Sequence, residues 1–468
     1  MTLFSLDPTY TLLLVVCLGL ACAFEFVNGF HDTANAVATV IYTNSLKPQQ
    51  AVLLSAFLNF AGVLSGGIGV AMGIVNLLPV ETLVDQNINH SVAMVLAILG
   101  TAITWNLSTW YFGLPASSSH TLIGSILGVG LAFSLMPEAS GTAVNWSKAG
   151  EIGLSLLISP VFGFSLTVFL MFMLRRFVTD DSIFKEPKKD KAPPFWIRAI
   201  LMLTCSSVSY AHGWNDGQKG VGLIMLILIG IVPAHFALNT SLAPAKLQAS
   251  IITTRSILSD IPPTNLGAAE RASITKTMNL LSDLDNVVGT AAIVPQLPEK
   301  QNFRVRKDIL LASKEIDKVL ASESVALTKA ARKQLEASKK GLREYTDYAP
   351  RWVIYLISIS LGLGTMVGWK RIVLTIGEKI GKQHLTYAQG ASAEVVASLT
   401  IGLANVFTLP VSTTHVLSSG IAGSMVANKG LKNLQPATIR SILLAWVLTL
   451  PVTVIGAGLL YILFRNIL

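Results

Sequence analysis

Apolar runs of roughly membrane-crossing length recur along the chain, at about 10–28, 50–78, 91–113, 115–136, 150–174, 197–215, 219–240, 352–369, 388–409, 411–427 and 438–466. A hydrocarbon core takes about 20 residues of α-helix to cross. Inside it, backbone polar groups are satisfied only within helices or closed barrels. The pattern predicts an all-α membrane protein, a polytopic bundle of about 10–12 transmembrane helices, some broken or re-entrant. Gly62, Gly66, Gly67, Gly69 and Gly73 line one run, a spacing that lets helices approach closely. Two hydrophilic stretches interrupt the runs. The expected organisation is membrane repeat 1 over 1–174, a basic linker over 175–196, the first part of repeat 2 over 197–240, a hydrophilic helical insert over 241–350, and the rest of repeat 2 over 351–468. Within the insert, Ile316 to Tyr345 has helical spacing of apolar residues.

Charge gives the orientation. Residues are 52% hydrophobic and 13% charged, against about 25% charged in soluble domains. The net charge of +9 therefore describes loops and not a nucleic-acid surface. Arg175, Arg176, Lys185, Lys188, Lys189, Lys191 and Arg198 place the linker in the cytoplasm. No Lys or Arg precedes the first run, which fits an outward N-terminus and a retained first helix. Two further runs, 197–215 and 219–240, would return the chain to the cytoplasm and put the insert there. Lys370, Arg371, Lys379 and Lys382 follow a single later run and also ask for the cytoplasm, so the two assignments conflict. Either 352–369 is no simple span, or 370–385 lies on the face opposite the insert; the latter stretch also has the pattern of an interfacial amphipathic helix. Cys17, Cys22 and Cys205 lie in apolar runs, without disulfide or thiolate-metal spacing.

The candidate chemistry sits where hydrocarbon is expected. Gly29-Phe-His-Asp-Thr-Ala-Asn-Ala36 ends the first run, and Gly213-Trp-Asn-Asp-Gly-Gln-Lys-Gly220 is its counterpart, aligning Asp32 with Asp216 and Asn35 with Lys219. Pro115-Ala-Ser-Ser-Ser-His-Thr121 is matched by Pro410-Val-Ser-Thr-Thr-His-Val416. The second pair is more widely spaced than the first by about the length of 241–350, so one insertion accounts for both. An ionisable group in mid-membrane is a functional-site hypothesis by default. Proline followed by Ser117, Ser118 and Ser119, or by Ser412, Thr413 and Thr414, is how a half-helix begins, with hydroxyls over free N–H groups. Such an end binds anions. Repeats that face each other at the midplane are the architecture of a secondary transporter. An aspartate beside an anion accepts a hydrogen bond from a protonated anion such as phosphate, or binds a co-transported proton, sodium or divalent metal, a mixture that points to cation-coupled anion transport and not a passive pore.

These motifs, with Thr375-Ile-Gly-Glu-Lys-Ile-Gly381, resemble the inorganic phosphate transporter (PiT) family, most nearly its bacterial low-affinity permeases. The resemblance implies two inverted repeats and uptake of inorganic phosphate across the cytoplasmic (inner) membrane by a multi-pass protein. It carries Asp32, Asn35, Ser118, Ser119, Asn215, Asp216, Thr413 and Thr414 over as phosphate-site residues. The family motif is Gly-x-Asn-Asp-x-x-Asn-Ala; here His31 replaces an Asn in the first copy and Lys219 replaces one in the second. Those departures favour protons over sodium. The bacterial branch implies phosphate taken as a neutral divalent-metal complex, with the metal near Asp32 and Asp216.

The coupling-ion or proton path is read as Asp32, Asp216, His31, Glu25 and Lys219, with Lys219 pairing Asp216 in preference to phosphate. Ser117, His120, Ser412 and His415 are supporting residues that orient the hydroxyl turns. The expected partners are phosphate, protons, Mg2+ or another divalent cation, lipid and a second copy in a homodimer, with no nucleic acid. No resident cofactor is expected. The chain lacks Walker, His-Glu-x-x-His and Gly-x-Ser-x-Gly elements, so it reads as no enzyme. Sodium coupling, another oxyanion, or a divalent metal alone are the competing readings.

Overall fold

A computed structural model describes residues 4, 6–78, 88–137, 144–188, 191–262, 266–288, 299–322 and 324–468; the side chains of Asn35, Glu299 and Lys300 lie outside the described set. The first half carries α1 (Pro8–Tyr42), α2 (Pro48–Ser65), α3 (Gly69–Val75), α4 (Ile88–Tyr111), α5 (Ser118–Ser134) and α6 (Trp146–Phe177), followed by α7 (Phe195–Ile231). The hydrophilic region forms α8 (Pro244–Ser259), α9 (Ala268–Val288), α10 (Glu299–Ala321) and α11 (Lys329–Arg343). The chain then continues through α12 (Arg351–Thr365), α13 (Lys370–Leu374), α14 (Tyr387–Val406), α15 (Thr413–Lys429) and α16 (Pro436–Ile467).

The chain splits into two compact units. One comprises Leu12–Thr82, Asn87–Ile227 and Ala349–Leu468; the other comprises Met1–Thr11, Leu83–Gln86 and Leu228–Tyr348. In the larger unit α1, α4, α6 and α16 are long and apolar enough to cross a membrane. Two bent pairs bring that number to six: α2 with α3, bent by 76°, and α12 with the stretch Lys370–Lys379, bent by 56°. The shorter α5 is apolar but not of spanning length. Outward faces are greasy, with Phe57, Leu157, Phe169, Leu203, Val447 and Leu459 exposed, as lipid requires.

The repeats interlock. Half-helix α5 packs on α16 from the other half of the chain, and α15 packs on α6. In the same crossed manner α12 packs on α2. Lipid supplies no hydrophobic drive between helices, so close van der Waals contact does the work. Glycines permit it at two points. A Cβ on Gly364 would lie 2.1 Å from Phe26 O, and one on Gly213 would lie 2.2 Å from Asn59 O. The first contact binds α1 to α12, the second α7 to α2. Ends are set locally. Thr386 and Gln389 form a capping box at the start of α14, and α15 stops at Gly430, whose φ of 72° favours glycine.

The smaller unit buries its own core, including Leu247, Ile251, Leu281, Ile309, Leu335 and Leu342. The helical spacing read over Ile316 to Tyr345 falls on the end of α10 and on α11. Ser322 and Ser324 donate to Glu270 Oε1 (2.9 and 3.1 Å) in the gap, and Thr328 caps α11. Arg306 donates to Ala237 O (3.0 Å) and Thr346 O (2.9 Å), tying the unit's two ends. Burial pushes its guanidinium down to about 10.

One expectation is overturned. The runs 197–215 and 219–240 are a single continuous helix, α7, of 37 residues. The polar Gly213–Gly220 stretch does not break it, because those side chains point into the bundle and the backbone ladder stays intact. The two passes read from the sequence between the linker and the insert are therefore one helix. Arg198 Nε donates to Ser45 O (2.8 Å), which puts the basic linker beside the C-terminal end of α1.

Two outcomes follow. Gly364→Ala and Gly213→Ala should each destabilise the protein in detergent by about 1–3 kcal/mol through forced backbone displacement. Gly19→Ala, where nothing lies within 4 Å, should leave thermal melting unchanged.

Candidate functional site

The site is built from two long helices and two half-helices of the larger unit. Helices α1 and α7 run antiparallel. Ser45 meets Arg198 at one level, Asp32 lies 3.9 Å from His212 at the next, and Glu25 abuts Gly220 beyond it. As the residue number rises on one helix it falls on the other, so the duplicated motifs face each other in opposite senses. Each half-helix starts under a serine cap. Ser117 Oγ accepts from His120 N (3.2 Å) and Ser412 Oγ from His415 N (3.1 Å). A free helix start leaves N–H donors and the positive dipole end without partners.

Both starts converge on one carboxylate. Ser118 of α5 donates to Asp32 Oδ2 (2.7 Å), and Thr414 of α15 donates to Asp32 Oδ1. His31 Nδ1 lies 3.3 Å from Asp32 Oδ1, and its Nε2 lies 3.2 Å from Thr109 Oγ1 on α4. Asp216 takes a different partner. Lys219, one turn on, reaches Asp216 Oδ1 at 2.6 Å and Val411 O at 3.0 Å, and also donates to Ser119 Oγ. Ser119 in turn donates to Val411 O (2.9 Å). Asp32 is 3% exposed, Lys219 2% and Asp216 fully buried, so these charges see little water and must neutralise one another.

The other expected residues fall around this centre. Asn215 clamps the loop before α15: its amide donates to Asn405 Oδ1 (2.6 Å) and Leu409 O (3.2 Å), and its Oδ1 accepts from Val411 N (3.3 Å). Thr413 is buried with its hydroxyl unpartnered. His120 Nδ1 touches Ser117 Oγ (2.8 Å). The His120 and His415 rings lie 4.6 Å apart, and His415 stacks on Trp446 at 3.9 Å. Trp446 Nε1 donates to Pro115 O (2.9 Å), closing the loop before α5. Glu25 stands apart, fully buried, with Oε2 accepting from Asn28 Nδ2 (3.2 Å) and Oε1 unpartnered. Asn35 lies outside the described side chains.

Sequence reasoning missed several members. His212 Nε2 lies 3.4 Å from Asp216 Oδ2 and 3.9 Å from Asp32 Oδ2. Its position four before Asp216 puts both on one helix face, a signal present in the sequence. Asn405 and Thr109 bind motif residues across long chain separations and carried no local mark. Glu394 is fully buried in α14, accepting from Thr39 and Thr204. It satisfies the rule that singled out Asp32, an acid inside an apolar run.

Among the described residues Asp32, His212 and Asp216 form the cluster able to hold a cation, their ligand atoms within 4.8 Å of one another. His212 Nε2 and Asp216 Oδ2 make no hydrogen bond. One imidazole nitrogen and two carboxylates suit a divalent ion.

The model of the phosphate transporter family matches residues 28–457. The chain is 42% identical to the low-affinity inorganic phosphate transporter PitA of Escherichia coli K12, over 98% of this chain and 97% of that one. Identity is 40% to PitB of the same organism, with the same coverage. It is 27% to the probable low-affinity inorganic phosphate transporter of Bacillus subtilis, over 98% of both. A solved structure titled the sodium-dependent phosphate transporter superposes with a TM-score of 0.55 at 22% identity, covering 97% of this chain and all of that one, and so shares the fold. The chain belongs to the phosphate transporter family.

Proposed function

We propose that the protein imports inorganic phosphate across the cytoplasmic membrane together with a divalent cation, in symport with protons. The observation that carries this reading is the double engagement of Asp32 by Ser118 and Thr414. Two half-helix starts aim their hydroxyls at one negative group. Those are the donors a phosphate oxygen would use. A carboxylate holding them competes with phosphate, and the two anions repel each other if both are charged.

A cation resolves the conflict. Bound by Asp32, His212 and Asp216, a divalent metal draws the Asp32 carboxylate to itself and frees Ser118 and Thr414 for phosphate oxygens. A proton on Asp32 does the same in part, because a neutral carboxyl competes more weakly for hydroxyl donors. Substrate and cation then enter together, since each removes the obstacle to the other. Lys219 supports protons over sodium. It lies 2.6 Å from Asp216 Oδ1 and leaves only Oδ2 open beside the imidazole, a donor set that suits a divalent metal or a proton better than sodium.

In proteoliposomes, phosphate uptake should follow an imposed proton gradient, collapse with a protonophore, need a divalent cation, and stay unchanged when sodium replaces potassium. Strict sodium dependence would overturn the coupling assignment, and full uptake under chelation would overturn the metal complex. Ser118→Ala and Thr414→Val should each raise the phosphate KM about tenfold, from loss of one charge-assisted hydrogen bond of roughly 1.5 kcal/mol. Asp32→Asn and Asp216→Asn should bring uptake to background while the protein still reaches the membrane.

A further inference from the structure

We infer that Asn59 is a positioning residue that holds a proton on His212 Nδ1, so that Nε2 is the nitrogen aimed at Asp32 and Asp216 and the one left bare whenever the ring is neutral. The inference rests on the metal–phosphate reading above for its purpose, but its geometry stands independently. His212 Nδ1 lies 2.9 Å from Asn59 Oδ1. An amide carbonyl can only accept, so Nδ1 must carry the proton. In neutral imidazole the other nitrogen, Nε2, is then bare.

The amide cannot turn over to offer its NH2 instead. Asn59 Nδ2 donates to Thr365 Oγ1 on α12 (3.0 Å). Thr365 spends its own hydrogen on Leu361 O (2.9 Å), and the Thr33 hydroxyl of α1, which donates to Gly29 O, lies 3.0 Å from its oxygen. With its one donor committed, Thr365 is an acceptor toward Asn59. A flipped amide would set two donors, the Asn59 NH2 and the His212 N–H, against each other. It would also leave the Thr365 oxygen facing a carbonyl.

Asn59 is 1% exposed and Thr365 fully buried, so water is not available to repair either mismatch. Leaving such a buried group unmatched is costly enough to hold the orientation. The short Asn side chain reaches His212 because α2 and α7 touch backbone to backbone at Asn59 and Gly213. The chain Thr365, Asn59, His212 thus converts a helix-packing contact into the choice of ring nitrogen at the cation cluster. Metal-bound histidines are set in this way by a partner on the far nitrogen.

The test is nitrogen-15 NMR of histidine-labelled protein in nanodiscs, at a pH where the rings are neutral, with the His212 signals assigned by their loss in His212→Gln. The parent and Asn59→Asp, which keeps an acceptor, should carry the proton on Nδ1. Asn59→Leu and Thr365→Val should shift it toward Nε2, and Thr365→Ser should restore the parent pattern. In uptake assays Asn59→Leu should raise the KM for the divalent cation roughly tenfold or more, the usual size of such a second partner's effect. Its phosphate KM at saturating cation should move far less. A parent His212 protonated on Nε2, or an unchanged tautomer in Asn59→Leu, would overturn the inference. Metal-independent uptake with the expected tautomers would instead defeat the metal–phosphate reading and leave the positioning role intact.

Discussion

The structure depends on one constraint: charges held away from water must find partners inside the protein. Asp32 and Asp216 are buried in a bundle whose outer surface is made for lipid. Each is answered differently, Asp32 by two hydroxyls and a histidine, Asp216 by Lys219. That inequality gives the site its chemistry. A carboxylate that holds two hydroxyls can give them up to a better anion once a cation arrives. A carboxylate already paired with lysine anchors the arrangement while that happens.

Positioning such groups takes a framework with little slack. The half-helices α5 and α15 can start in mid-bundle because serine caps and the neighbouring helices satisfy backbone groups that lipid would leave bare. Crossed packing of each half-chain on the other makes the two starts converge. Close contacts at Gly364 and Gly213 set helix spacings to within the reach of short side chains such as Asn59 and Thr365. A methyl group at either glycine would push the helices apart and break the polar chain from Thr365 to His212.

Much of this was legible in the sequence because it depends on local pattern. Asp32 and Asp216 announce themselves as acids in apolar surroundings, and the two proline–hydroxyl–histidine motifs announce capped helix starts. The helix break after Thr365 was visible only as a conflict between charge rules. The continuity of α7 was hidden in the same way, because its polar motif proved compatible with an unbroken ladder. His212 was one helical turn from a recognised residue and was still passed over. The reason is that its role lies in its distance to Asp32 on another helix, which no spacing within α7 reveals.

The order of apolar runs, the duplication and the hydroxyl-capped motifs were determined by the sequence alone, since hydrophobicity and capping act over a few residues. The tertiary structure alone decided which acid meets the hydroxyls and which nitrogen of His212 faces the acids. Those outcomes turn on ångström-scale contacts between residues far apart in the chain, such as Thr414 with Asp32 and Asn59 with His212. Burial raises the cost of every unmatched donor, so only the assembled bundle selects one arrangement among the many that the sequence permits.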